Sequence, residues 1–376
     1  MKSDEKMKIA LITIHNVCNY GAVLQAFATK RILSQYGEVE TINYFNPHLP
    51  NQLKLIRFRL SIDGIKMAIH DILRLKHRNK LIKKFENFIE SNLDLSRLVT
   101  QHNIQKGAIN NEFNVYVCGS DQIWNSGTIS KDGKLNPIYF LSFVKNPAKK
   151  ISYASSMGGH CRPTASEKEQ LKDLLKDFTT ISVRESDAQE MLSHLLKREV
   201  FQVLDPTLLL SKEEWLTTLK IAKDYRSQNE DYILVYLLPK VPLIKKVVKF
   251  VVNKFVNKKV VTIEQAFKPF INADFHIRDA GPIEFIELFS NASFVITNSF
   301  HGVCFSINFK KPFVAVSGGG NRIVSLLNLF NLKDKLVNKE EDIYKLNFYF
   351  DYDSLENQLR NEQSRSIQVL SSSILS

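Results

Sequence analysis

Gly281-Pro-Ile-Glu-Phe-Ile-Glu-Leu-Phe-Ser-Asn-Ala-Ser-Phe-Val-Ile-Thr-Asn-Ser-Phe-His-Gly302 reads as a helix, a buried strand and a sharp turn that presents polar side chains. Pro282 suits a first helical turn, where a missing N–H costs nothing, and Ile283, Phe285, Ile286 and Phe289 make one apolar stripe. Phe294-Val-Ile-Thr297 is β-branched and nearly all apolar, the pattern of a parallel strand covered on both faces. Asn298, Ser299 and His301 follow at once, then Gly302 and a second apolar run at 303–309 that predicts another helix. In an open α/β sheet, ligands sit at the carboxyl ends of strands, where helix N-termini also point free N–H groups. His301 therefore stands where a reactive group belongs, although a histidine that caps a helix or bonds a core carbonyl would fit the same position.

The pattern repeats outward in both directions. Strands are predicted at 9–14, 39–44, 115–118, 150–154, 179–183 and 201–204, with helices at 21–36, 167–176 and 186–196 among them. Asp205-Pro206-Thr207 breaks the alternation, and a second set begins with strands at 232–238, 259–263 and 312–316 and helices at 244–257 and 323–329. A chain of 376 residues exceeds what one core usually supports. The expectation is therefore two Rossmann-like α/β domains facing a cleft: 1–205, carrying a basic helical insertion at 50–95; 206–345; and a helical tail at 346–376.

Composition narrows the class. The chain is 44% hydrophobic and 24% charged, as in ordinary globular proteins, and no stretch has the unbroken apolar length of a membrane helix. Its charged start leads straight into a strand, unlike a secretory signal. Cys18, Cys118, Cys161 and Cys304 lie far apart with no Cys-x-x-Cys pair, which argues against zinc or dithiol chemistry and for a reducing, cytoplasmic setting.

The net charge of +12 is concentrated. Residues 54–84 hold ten basic residues, Lys54, Arg57, Arg59, Lys66, Arg74, Lys76, Arg78, Lys80, Lys83 and Lys84, against Asp63 and Asp71 only, a net of +8 among interleaved Leu, Ile and Phe. Such a segment can lie on an anionic membrane surface or simply form a solvated face. Nucleic acid is not indicated, because no stacking series or recognised nucleic-acid motif accompanies the charge.

Three further turns follow strands in the same way. The first holds His15, Asn16, Asn19, Tyr20 and Gly21, with Gly21 able to let a ligand approach a helix start. The next holds Ser120, Asp121 and Gln122, with Trp124 offering a flat platform for a sugar ring. The third holds Arg184-Glu185. Each group could equally cap its turn. Gly318-Gly-Gly-Asn-Arg322 precedes a helix and could cradle an anion with its amides, while Asp351-Tyr-Asp353 reads as a loop or helix cap rather than a metal site.

Five motifs in order carry a resemblance: Asn19-Tyr-Gly-Ala-Val-Leu-Gln-Ala26, Gly119-Ser-Asp-Gln-Ile-Trp124, Ile181-Ser-Val-Arg-Glu185, Leu204-Asp-Pro-Thr207 and Asn298-Ser-Phe-His-Gly302. Together, over about residues 8–335, they resemble the polysaccharide pyruvyltransferase family. The resemblance implies a GT-B-like fold and transfer of pyruvate from phosphoenolpyruvate to a sugar of a cell-surface polysaccharide or its lipid-linked precursor, usually as a cyclic ketal. It implies no metal or organic cofactor. It makes His301 the proton-transfer residue and Arg184 a donor contact.

By position, Asn298, Ser299, Gly319 and Arg322 join the donor side. Asn19, Gly21, Gln122 and Trp124 fall to the acceptor, with Asp121 as a base. The family pattern at the last motif is Arg-x-His, whereas this chain has Ser299-Phe300-His301, which keeps a hydrogen-bond donor but lacks the charge and the fork. Arg278 or Arg322 is left to supply that charge. Two other readings stay open: a GT-B-like glycosyltransferase using a nucleotide sugar, and an inactive homologue that only binds glycan.

Overall fold

The computed structural model describes residues 6–49, 53–58, 60–109, 113–145, 147–159, 162–221, 231–238, 240–255 and 257–376. Arg59 and Cys161 lie outside them. The contacts divide the chain into two compact units, one of Met1–Pro50, Ile89–Leu209 and Arg360–Ser376, the other of Asn51–Phe88 and Leu210–Leu359.

The first unit is built on β1 (Lys8–Ile12), β2 (Glu38–Thr41), β3 (Val115–Gly119), β4 (Lys149–Ser155), β5 (Thr180–Val183) and β6 (Phe201–Gln202), in the order β2-β1-β3-β4-β5-β6. All neighbours are parallel. β3 is buried at every position, the consequence of helices on both faces of a parallel sheet. Helix α1 (Tyr20–Leu33) is buried over most of its surface, and its N-cap is Asn19, whose Oδ1 accepts from Ala22 N at 3.2 Å. Strand order reverses between β1 and β3, so the turns after these two strands meet at the crevice where such sheets bind ligands.

The second unit carries β7 (Tyr232–Tyr236), β8 (Lys259–Ile263), β9 (Phe275–Ile277), β10 (Phe294–Thr297), β11 (Phe313–Val316) and β12 (Leu336–Val337), ordered β12-β11-β10-β7-β8-β9 and again parallel. Its reversal falls between β7 and β10, placing the turn that contains His301 at that unit's own switch point. The helix predicted at 303–309 starts three residues earlier, as Phe300–Asn308, with Ser299 as its cap.

Two sequence expectations change. The basic insertion does not group with the first unit: α2 (Ile62–Leu73) and most of α3 (Leu75–Asn92) belong to the second. The reason is polar docking. Arg74 Nη1 donates to Gln265 O at 2.7 Å, His77 Nδ1 meets Asp279 Oδ2 at 2.9 Å, and Lys84 Nζ donates to Asp279 O at 3.0 Å. The tail is also not a separate segment. The helix Tyr352–Leu375 passes from one unit to the other, and its later part ties into the first through Ser366 Oγ accepting from Leu204 N and Gln363 Nε2 donating to Leu208 O. Asp351 caps this helix, its Oδ1 accepting from Ser354 N at 3.0 Å.

Candidate active site

In the second unit the β10 turn is drawn tight by Thr297. Its hydroxyl donates to Tyr236 O at 2.7 Å and accepts from Ser299 N at 3.1 Å. Asn298 Oδ1 accepts from Leu238 N at 3.0 Å, bridging the ends of β10 and β7 across the switch point. A Cβ on Gly302 would stand 2.3 Å from Thr297 Oγ1, so only glycine allows the helix Phe300–Asn308 to start this close to the strand. Ser299 is fully enclosed; its Oγ accepts from Gly302 N at 3.4 Å and bonds the Tyr236 phenol, whose pKa burial raises and this bond partly restores. Ser299 thus caps the helix from inside. His301 lies in the first turn of that helix, buried, with its ring edge-on to Phe300 at 5.3 Å.

Beside it, β11 runs into Ser317-Gly-Gly-Gly320. Gly319 has φ +87° and open space where a side chain would be, and its N–H donates to Ser317 Oγ at 3.3 Å. Gly320 is the N-cap of the helix Asn321–Leu329 and makes no side-chain cap bond of its own. Arg322, half-buried, sits in the same turn. Glycine amides, a helix N-terminus and an arginine are the kinds of group that receive anions.

In the first unit, the turn after β1 holds Thr13, His15, Asn19 and Gly21. Gln25 reaches back from α1, its Nε2 donating to Thr13 Oγ1 at 2.8 Å, Ile14 O at 3.2 Å and Ala22 O at 2.8 Å. His15 is enclosed between Thr13 O (3.2 Å from Nδ1) and Asn43 Oδ1 (3.3 Å from Nε2), and burial lowers its pKa. Gly21 is buried in the first turn of α1, and Asn19 is its cap.

The turn after β3 is held by a buried charge cluster. Asp121 adopts φ +65°, and Gly119 before it could not carry a Cβ, which would lie 2.0 Å from Tyr153 O. Arg184 Nη1 donates to Asp205 Oδ2 at 2.7 Å and Nε to Glu185 Oε1 at 3.2 Å, while Nη2 lies 3.7 Å from Asp121 Oδ1. Asp205 also accepts from Ser120 Oγ at 3.0 Å and from Thr207 N and Oγ1 at 3.0 and 2.7 Å. Burial opposes the Arg184 charge, but Glu185, Asp205 and Asp121 outweigh it and raise the pKa.

Arg184 is only 5% exposed. An anion approaching it would face three carboxylates, so the expected donor contact gives way to an arginine that positions the Asp121 turn. Trp124 also departs from expectation. It is 1% exposed, stacked on Phe140 at 5.1 Å, edge-on to Phe178 at 6.3 Å, with Nε1 donating to Tyr139 O, and presents no face to a sugar. Gln122 is half-buried, its Oε1 accepting from Asn125 Nδ2 at 2.7 Å. Sequence reasoning missed the roles of Gln25, Glu185 and Asp205. The last was read as a break in the alternation and as part of one family motif but given no role, although an acid just beyond a strand was the available signal.

The fold and these strand-end sites define a two-unit Rossmann-like protein of the GT-B kind. Solved structures of that architecture are similar along the full length. Neisseria meningitidis UDP-GlcNAc 2-epimerase bound to UDP-GlcNAc matches at TM-score 0.52 with 10% identity, covering 98% of this chain and 100% of that one. The Methanocaldococcus jannaschii UDP-GlcNAc 2-epimerase in complex with UDP-GlcNAc and UDP matches at 0.52 with 13% identity, covering 97% and 99%. Arabidopsis thaliana UGT89C1 complexed with UDP-L-rhamnose matches at 0.53 with 10% identity, covering 98% of each. No curated protein matches the sequence at a significant level. The family model for polysaccharide pyruvyl transferase matches residues 19–320, and the chain belongs to that family.

Proposed function

We propose that the protein transfers pyruvate from phosphoenolpyruvate to a sugar of a cell-surface polysaccharide or its lipid-linked precursor, forming a pyruvate ketal and releasing phosphate. The observation that carries this reading is the family match over residues 19–320, which takes in every residue assigned above to donor, acceptor or proton transfer except Arg322.

The donor brings a phosphate and a carboxylate, which call for backbone donors and a forked cation. In this reading the Gly318–Gly320 amides, the helix start at Asn321 and Arg322 receive the donor. His301 gives a proton to the methylene carbon, a sugar hydroxyl adds to the neighbouring carbon, and phosphate leaves with the pair of the C–O bond. A second hydroxyl then closes the ketal. Of the two hydroxyl protons, one restores the acid and one leaves with phosphate. Asp121, fixed by Arg184, takes the attacking hydroxyl's proton, and Asn19 and Gln122 face the acceptor. Ser299 supplies no charge here, because it is spent as an internal cap.

The test incubates the protein with phosphoenolpyruvate and candidate glycans and follows phosphate release and acid-labile pyruvate on the glycan by mass spectrometry. Stoichiometric phosphate and ketal support the reading; sugar transfer from a nucleotide sugar with no use of phosphoenolpyruvate would replace it with glycosyl transfer.

A further inference from the structure

Helix α2 is turned inside out. Its inward face carries Gly64, Ala68 and Asp71, whereas Ile62, Ile65, Ile69, Ile72 and Leu73 point to solvent. At 100° per residue these five share one stripe about 100° wide, the width that normally faces a core. Phe58 and Leu60, just before the helix, are exposed as well, Leu60 at 96% and Ile62, which opens the helix, at 74%. Half of the exposed large hydrophobic residues among those described lie between Leu55 and Leu75, where Arg59 alone is undescribed.

The inverted orientation is enforced. Asp71 is buried and held by Arg57 (Nε and Nη2 to its carboxylate at 2.9 and 2.8 Å) and by Arg74 at 3.0 Å, with Arg78 at 3.7 Å. Burial opposes the Asp71 charge, but these arginines hold its pKa well below the usual range. Arg74 and Arg78 are thus internal and Arg57 is half-buried against the same carboxylate. The cations left at the surface are Lys54, Lys66, Lys76, Lys80 and Lys83, with Asp63 as the one exposed acid among the described residues of 53–84.

We propose that the outer face of α2 inserts into the interface of an anionic phospholipid bilayer, with the isoleucine stripe among the acyl chains and the surrounding lysines on the headgroups. An exposed apolar stripe bordered by lysines matches such a surface on both counts. A second copy of the chain matches less well, since it would set the same lysines against one another. The hairpin docks near the carboxyl ends of β8 and β9, through Gln265 and Asp279, on the edge of the sheet that also carries Asn298–His301. The proposal does not depend on which reaction that edge performs.

The test is flotation of the full chain with phosphatidylcholine vesicles and with vesicles containing phosphatidylglycerol. Wild type floats with the anionic vesicles and keeps part of its binding at about 0.5 M salt, where lysine attraction is screened. Ile65→Ser with Ile69→Ser loses at least tenfold in partitioning at any salt with an unchanged thermal midpoint, because both side chains are exposed. Lys66→Glu with Lys76→Glu loses chiefly the low-salt part. Equal flotation of wild type and the isoleucine variant overturns the proposal, as does equal binding to neutral vesicles. So does absence of vesicle binding together with an oligomer that the isoleucine variant converts to monomer, which would make the stripe a protein interface.

Discussion

Replacing Arg184 by Met separates two roles that the sequence leaves merged. The side chain is buried and meets Asp205 at 2.7 Å, Glu185 at 3.2 Å and Asp121 at 3.7 Å. Removing it leaves carboxylates in the interior without their cation, a loss of about 3–5 kcal/mol for a broken buried pair. The two tryptophans make this measurable unit by unit, since Trp124 lies in the first and Trp215 in the second. In a Trp215→Phe background, urea unfolding followed by Trp124 fluorescence should show the full loss. With Trp124→Phe and Trp215 as reporter, the midpoint should move far less. Phosphoenolpyruvate affinity of the folded variant, measured at low temperature, should change less than about threefold, well under the 1.4 kcal/mol that marks a tenfold effect. A tenfold or larger loss of affinity with stability nearly intact would refute the argument and return Arg184 to the donor site.

Other outcomes follow from the same geometry. His301→Asn should lower kcat by about 10²- to 10⁴-fold, the usual worth of a positioned acid, with little change in donor affinity by titration. Asp71→Asn leaves Arg57, Arg74 and Arg78 without their carboxylate and should loosen the hairpin by about 3 kcal/mol, seen as faster hydrogen exchange confined to α2 and the start of α3. In the wild type the depressed Asp71 pKa makes this contribution complete above about pH 4 and lost as pH falls further, so exchange in α2 should quicken on acidification below that point. Lys311 is pushed down to about 8 by burial and by Lys212, so between pH 8 and the free lysine value the unfolded chain holds more protons and stability rises with pH. Lys311→Met should flatten that rise and raise stability at pH 7 by about 1 kcal/mol, a modest figure because the ammonium is partly solvated.

The strands were legible where burial on both faces writes itself as β-branched runs. The run at 259–263 is the strand Lys259–Ile263, and Phe294–Thr297 likewise has the bounds read from its sequence. Phe275-His-Ile277 was not legible, because three residues at a sheet edge carry no periodicity. Helix Lys212–Thr218 was missed although Ser211 and Glu214 spell its capping box. The turns at the strand ends were legible because polar residues directly after an apolar strand have few other places to go, but their side-chain directions were hidden. Trp124 follows Asp121 and Gln122 in sequence and still folds into the core, because Phe140 and Phe178, distant in the chain, enclose it. In the basic segment, counting charges could not reveal that Asp71 collects three arginines and thereby turns the isoleucines of α2 outward.

The central claim is that the strand-end site of the second unit receives phosphoenolpyruvate, and calorimetric titration of wild type and Arg322→Ala with phosphoenolpyruvate and with UDP tests it most directly. The account predicts that phosphoenolpyruvate binds, that Arg322→Ala weakens it at least tenfold, and that UDP produces no heat of binding. Saturable UDP binding with no response to phosphoenolpyruvate would contradict it.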